Sequence, residues 1–182
     1  NTKHKVEIKY PGPSNMTEEL YEGIKKDFSA FEKSLYSYDY DSNDYGYKNY
    51  IDVDSFVDYF LINEFTCNYD AGWLSTFIYK DIDGKLRMCI WDFNSACDNY
   101  QQSFMLPNIF DMQNCLWYTM FFKDEDFTDR CIERYRELRK TYLNEDYLNH
   151  YIDDVVNYLG PAIDRNYEKW GYQFTEEYDL LE

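Results

Sequence analysis

NEFTCNYDAGWLSTFIYKDIDGKLRMCIWDFNSACDN, residues 63–99, is the stretch whose reading decides the fold. Two aspartates, Asp70 and Asp92, flank what reads as a β-hairpin. STFIYK (75–80) and KLRMCIW (85–91) are short runs rich in β-branched and aromatic residues, joined by DIDG with Gly84 able to take positive φ. A hairpin folds back on itself, so the residue entering its first strand and the residue leaving its second finish side by side at the open end. The spacing therefore predicts that two acids distant in the chain face a common cleft. Asp81 and Asp83 read as turn residues, with cation binding as the alternative.

Upstream, a helix starting at Asp52 or Asp54 and running through SFVDYFLINEF is expected to bury Phe56, Tyr59, Phe60 and Phe65 and to deliver the chain to Asn68 and Asp70. Near the start, VEIKYPGPSN opens with a strand-like alternation stopped by Pro11, Gly12 and Pro13. Thr17 then caps a helix with Glu18 and Glu19 at its positive end and Leu20, Ile24, Phe28, Phe31 and Leu35 at helical spacing. Between the two helices, residues 37–50 have loop chemistry. Asp39, Asp41 and Asn43 imitate the start of an EF-hand loop, but Asp44 and Tyr50 stand where that loop needs Gly and Glu, so a solvated acidic loop is the preferred reading.

Downstream, residues 95–114 lack a clean period and read as an irregular loop. Two helical stretches follow. The first, residues 124–143, carries Phe127, Ile132, Tyr135 and Leu138 on one face; the second starts at an Asn144 cap with Leu148, Ile152, Val155 and Leu159, and Gly160-Pro161 should kink or break it. The fold class predicted is mainly α (α+β): packed helices carrying one small antiparallel β-hairpin, which needs helices to lie on because a lone two-stranded ribbon is marginal.

Composition narrows the function. With 182 residues, one domain with a full core is the default. Against 18 basic residues stand 35 acidic ones, and a net charge of -17 repels phosphate backbones, which excludes nucleic acid as a partner. Hydrophobic residues at 45% and aromatic ones at 21% exclude disorder. The Tyr content suits a polar-rimmed cleft or a glycan surface, for which Trp73, Trp117 and Trp170 are candidates; core packing is the competing reading. Cys67, Cys89, Cys97, Cys115 and Cys131 sit in apolar runs without zinc-like spacing and read as buried thiols, one disulfide being the alternative. His4 and His150, the two histidines, read as surface residues and leave little for a His-based site. Arg134, Arg139 and Arg165 are expected to pair with acids. No run is long and apolar enough for a membrane helix, and no signal-peptide pattern is visible. The chain starts at Asn, so it reads as a piece of a longer protein.

Converging carboxylates beside amides and hydroxyls, with no histidine near, suit a hard divalent cation such as magnesium. Asn68 precedes Asp70, Ser75 follows it, and Asn94 follows Asp92. Protein kinases present the same order: a catalytic loop with an Asp, then a hairpin, then D-F-G, whose Asp holds magnesium on the ATP phosphates. The same residues also suit a bland arrangement, with Asp70 capping a turn and Asp92 in an unrelated hydrogen-bond network.

YPGPSNMTEE (10–19), YIDVDSFVDYFLINEFTCNYD (50–70), FIYKDIDGKL (77–86), WDFNSACDN (91–99) and residues 130–170, with RYRELR and RNYEKW, together resemble the spore coat protein H (CotH) kinase family of atypical protein kinases. The resemblance covers nearly the whole chain. It implies a protein-kinase-like C-terminal lobe in which Asp70 is the catalytic-loop aspartate and Asp92 the metal-binding one, with Asn68, Ser75 and Asn94 beside the cofactor. Ser75, a weaker ligand, stands where a kinase places a second metal-holding Asn, and Asn94 stands where much of the family has Asp, which lowers the local negative charge. A glycine-rich loop and a strand lysine are not found in this chain, which implies the C-terminal portion of the family's domain, without its nucleotide-binding lobe and inactive alone. The activity implied is transfer of phosphate from ATP to protein hydroxyls with Mg2+, on a coat or surface protein, in a spore-coat or exported setting. A non-catalytic pseudokinase-like binding module and a glycan-binding module remain the alternatives.

Overall fold

The computed structural model describes residues 4–97 and 110–171. Among these it is mainly helical, with one small antiparallel sheet: α1 (Glu18–Leu35), α2 (Val53–Phe65), β1 (Phe77–Tyr79), β2 (Arg87–Cys89), α3 (Tyr118–Phe121), α4 (Glu125–Lys140), α5 (Glu145–Leu159) and α6 (Ala162–Trp170). Single 3₁₀ turns lie at Pro13–Asn15, Tyr47–Asn49 and Met112–Asn114. The chain divides into two compact units, Asn1–Arg134 and Tyr135–Glu182, with α4 crossing the boundary.

In the first unit the helix starts follow the expected caps. Thr17 Oγ1 accepts from the Leu20 N–H at 3.2 Å, and Asp52 Oδ1 from the Ser55 N–H at 3.1 Å. Only the C-terminal half of α1 is buried, through Phe28, Phe31 and Leu35; Leu20 is exposed. α2 buries Phe56, Val57, Tyr59, Phe60 and Leu61, but Phe65, expected inside, is its exposed last residue. The core is an aromatic cluster: Phe31 meets Trp117 edge-on at 5.5 Å, Phe56 meets Phe121 at 5.5 Å, and Phe127 stacks on Phe121 at 5.0 Å. Trp117 is therefore core and leaves the glycan candidates; its indole N–H donates to the buried Glu32 carboxylate at 2.9 Å.

The loop between α1 and α2 is more than a solvated acidic segment. Tyr47 is fully buried and its hydroxyl donates to Asp124 at 2.9 Å; burial first, then that carboxylate, pushes the phenol far above its usual range. Lys48 bridges Asp124 and Asp126 at 2.9 and 2.8 Å. Asp124 also accepts from the Asp126 N–H at 3.0 Å at the start of α4, so one buried carboxylate serves both the loop and the helix. The Lys48 hydrogen bond, with Arg130 adding to it, holds Asp126 below the ordinary carboxylate range despite some burial.

Along α4 the buried stripe is Phe127 and Cys131, while Ile132 and Tyr135, expected on the inner face, are exposed. The stack of Phe127 on Phe121 sets which side of the helix turns inward, a tertiary choice that helical spacing does not encode. Arg134 forks onto Asp58 at 2.8 and 3.3 Å, an acid pairing as expected. Residues 6–10 form no strand, having no partner to pair with among the described residues. The five cysteines are thiols, as expected, but not all are buried: Cys115 and Cys131 are buried, Cys67 and Cys89 half-buried, and Cys97 exposed.

In the second unit, Asn144 Oδ1 accepts from the N–H groups of Asp146 and Tyr147 and caps α5. Arg139, expected on an acid, donates instead to the Leu143 carbonyl at 2.6 Å. Gly160, at φ 48, and Pro161 separate α5 from α6, as the sequence predicts. Neither helix buries a residue; Ile152, Val155 and Leu159 share a face by period, yet remain exposed. No helix among the described residues is long and apolar enough to cross a membrane.

Two outcomes follow from this packing. Phe121→Ala should lower the unfolding free energy by about 3–5 kcal/mol in urea titration, and Ile132→Ala by well under 1 kcal/mol; equal losses would contradict the assigned core. Because the folded pKa of Asp126 is depressed, its contribution is present above the unfolded aspartate pKa, about 3.9, and is lost as pH falls through the folded value. The urea midpoint of Asp126→Asn should accordingly fall less steeply below about pH 4 than that of the parent chain.

Candidate functional site

The two aspartates of the hairpin are carried by backbone reversals. α2 ends where the Thr66 hydroxyl folds back onto the Ile62 carbonyl at 2.7 Å, and Cys67 takes left-handed backbone at φ 49. The Asn68 N–H donates to the Asn63 carbonyl at 3.0 Å, and the Asp70 carbonyl accepts from the N–H groups of Trp73 and Leu74 at 3.2 and 3.0 Å. This turn places Asp70 half-buried at the mouth of the hairpin. Gly72 permits it: φ is 80, and a Cβ there would stand 2.7 Å from Cys115 Cβ.

The hairpin between them is shorter than its apolar runs. Phe77–Tyr79 pairs with Arg87–Cys89, Ile78 opposite Met88. Asp83, not Gly84, supplies the positive φ at its tip, 56, a conformation that Asp tolerates better than most side chains. α2 seats the ribbon: Ser55 Oγ accepts from the Met88 N–H at 3.2 Å, and Leu86 makes an isolated parallel bridge with Ile51.

At the open end the chain leaving β2 returns to the chain entering β1. Ser95 Oγ donates to Asp70 Oδ2 at 3.0 Å, and the Cys97 N–H donates to the Thr66 carbonyl at 2.6 Å. These two ties hold residues 95–97 against residues 66–70. Asp92 stands three residues before Ser95, exposed and with left-handed backbone at φ 56. Asp, like Asn, adopts this backbone more readily than most residues do.

The remaining candidates fall differently. Asn94 is exposed beside Asp92. Ser75 is half-buried, and its carbonyl accepts from the Tyr59 hydroxyl at 3.4 Å. Asn68 is buried: its amide donates to Asn63 Oδ1 at 2.9 Å, and its own Oδ1 has no partner among the described residues. Trp73, Leu74 and Trp91 are exposed, with Phe77 against Trp91 at 5.0 Å.

Three residues were not legible as site-forming. Ser95 is the tie to Asp70, and its only signal was a hydroxyl three residues after Asp92. Glu64 accepts from the Met112 and Asp111 N–H groups at 2.5 and 3.3 Å, seating the turn that brings Cys115 under Gly72; burial raises its pKa against those bonds. Gly72 itself carried only the sign of a glycine near an Asp. Part of the irregular segment expected after Asp92, residues 98–109, lies outside the described residues.

Among the described residues no Lys, Arg or His pairs with Asp70 or Asp92. No group of three or more His, Cys, Asp or Glu side chains is assembled there either. Two carboxylates with hydroxyl and amide neighbours do not form an all-protein cage. They match magnesium, which keeps waters and takes one or two carboxylates together with substrate phosphates. The family model described as CotH kinase protein matches residues 1–180.

The chain belongs to the CotH kinase family. Neither a curated protein nor a solved structure matches it. Membership makes ATP and a divalent metal plausible ligands for a CotH kinase chain, and the carboxylates of Asp70 and Asp92 are oxygen donors of the kind such a metal takes.

Backbone geometry at Gly72 is testable by itself. Gly72→Ala meets both a left-handed φ and the Cys115 contact, and should lower stability by about 1–3 kcal/mol. Gly23→Ala, in α1 with open space around the position, should raise it by about 0.5–1 kcal/mol. Urea midpoints that move in the same direction would contradict the assignment of Gly72.

Proposed function

We propose that this chain supplies the metal-binding and catalytic-loop part of a CotH-type atypical protein kinase, a kinase-like C-terminal lobe that transfers phosphate from ATP to protein hydroxyls. The observation that carries the reading is the Ser95–Asp70 hydrogen bond, which ties the segment that follows Asp92 to Asp70 itself.

In this reading Asp70 orients the acceptor hydroxyl and takes up its proton, with one carboxylate oxygen already occupied by Ser95 and the other left for the substrate. Asp92, exposed and in left-handed backbone, is the metal ligand; Asn94 and Ser75 lie beside the cofactor, and the Oδ1 of Asn68, without a partner among the described residues, is an acceptor left for ordered water or ligand. Bound Mg2+ would neutralise charge on the transferring phosphate. Phosphoryl transfer depends on gripping the nucleotide from both sides. The seven glycines of these residues form no glycine-rich loop, so the 182 residues alone should be inactive. A protein acceptor, such as a coat or surface protein, suits a region where Asp92, Trp73 and Trp91 are all exposed better than a small enclosed substrate does. Spore coat or export is the setting that the family suggests.

Trp73 and Trp91, close in sequence to the two aspartates and both exposed, make intrinsic fluorescence a probe of the site. Titration with Mg2+ and ATP should quench it, and Asp92→Asn should weaken the apparent affinity at least tenfold while Asp44→Asn leaves it unchanged. Equal affinities for the parent chain and Asp92→Asn would overturn the assignment. Labelled ATP should yield no phosphoprotein with the 182 residues alone; transfer abolished by Asp92→Ala would overturn the inactive-part reading while keeping the kinase one.

A further inference from the structure

The tie between the Cys97 N–H and the Thr66 carbonyl has a second consequence, because Thr66 precedes a cysteine. In a trans peptide the carbonyl oxygen and the following Cα lie on the same side of the bond. With a 2.6 Å hydrogen bond and standard backbone lengths, the Cα atoms of Cys67 and Cys97 can be no more than about 7 Å apart. Because the Cys97 N–H points at the carbonyl, its Cα is angled off that line and the separation falls below about 6.5 Å, within the roughly 4.4–6.8 Å of cysteines that form disulfides. Both residues take left-handed backbone, at φ 49 and φ 56. Cys97 is exposed and Cys67 half-buried, which admits an oxidant. By contrast Cys115 and Cys131 are buried, and burial raises both thiols, Cys131 to about 12, which disfavours the thiolates that exchange requires.

We propose that Cys67 and Cys97 are a reversible disulfide pair that staples the Asp70 turn to the segment following Asp92. With a low-molecular-weight disulfide such as oxidised glutathione, the Cys97 thiolate attacks one sulfur, forms a mixed disulfide and releases one glutathione. The Cys67 thiolate then displaces the second. Two protein S–H bonds and the glutathione S–S bond are broken; one protein S–S bond and two glutathione S–H bonds form. The protein loses two electrons and two protons, and the oxidant takes them up. The staple closes residues 67–97, the hairpin included, into one covalent loop. Its effect on phosphoryl transfer rests on the function proposed above, but its formation does not.

The test is linkage mapping on the intact chain. Incubation with oxidised glutathione, alkylation and trypsin should give a cross-linked species that joins residues 49–80, where Cys67 is the sole cysteine, to residues 88–123, at the expense of two of the five thiols. The link should persist in Cys89→Ser, vanish in Cys97→Ser and Cys67→Ser, and be reversed by reduced glutathione. Cys97 is exposed, so Cys97→Ser tests the pairing without disturbing the core. Loss of no thiol, or a link that persists in Cys97→Ser, would overturn the proposal. Nucleotide binding is not needed for either result, so a failed kinase reading would leave this outcome intact.

Discussion

The closure of the hairpin at its open end is the constraint on which the site depends. A three-residue ladder between Phe77–Tyr79 and Arg87–Cys89 is too short to hold its flanks together. What keeps them together is a pair of hydrogen bonds beyond the ladder, from Ser95 to the Asp70 carboxylate and from Cys97 to the carbonyl of Thr66 at the end of α2. Together they turn two loops distant in sequence into one surface.

That surface is rigid to the extent that α2 is rigid. α2 lies in the aromatic core through Phe56, Tyr59 and Phe60, and Tyr118 donates to its Phe56 carbonyl at 2.9 Å. Its last turns carry the site's supports: Asn63 donates to the Tyr59 carbonyl and accepts from Asn68, and Glu64 holds the Met112 turn that packs Cys115 against Gly72. A path of packed side chains thus runs from the core to Asp70. Asp92 has no such support behind it. It is exposed, and its position is set by its left-handed backbone and by the ties three and five residues later. A carboxylate fixed at its base and open at its tip is suited to binding a cation that arrives with its own phosphates and waters.

How much of this the sequence revealed depends on how local the cause was. Thr17, Asp52 and Asn144 were legible as caps because a side chain three residues from an N–H decides the matter. The hairpin and its flanking acids were legible from alternation and spacing. Phe65, Ile132 and Tyr135 were misplaced because period assigns a face, while the Phe121–Phe127 stack and the ending of α2 decide which residues are covered. Tyr47 was hidden inside an acidic loop because its partner, Asp124, is remote in sequence. Ser95 and Glu64 were missed for the same reason: each acts on backbone or carboxylate groups that only the fold brings near. The unequal exposure of the five cysteines has no signature in their apolar neighbours.

The most direct measurement of the central claim, that the Asp70 and Asp92 loops form one metal-facing surface, is paramagnetic broadening of amide NMR signals by Mn2+ at substoichiometric concentration. The account predicts that the signals of residues 69–71 and 92–95 broaden together, and that Asp92→Asn abolishes both sets at once. Broadening of one set without the other, or broadening centred on the acidic loop at residues 39–44, would contradict it.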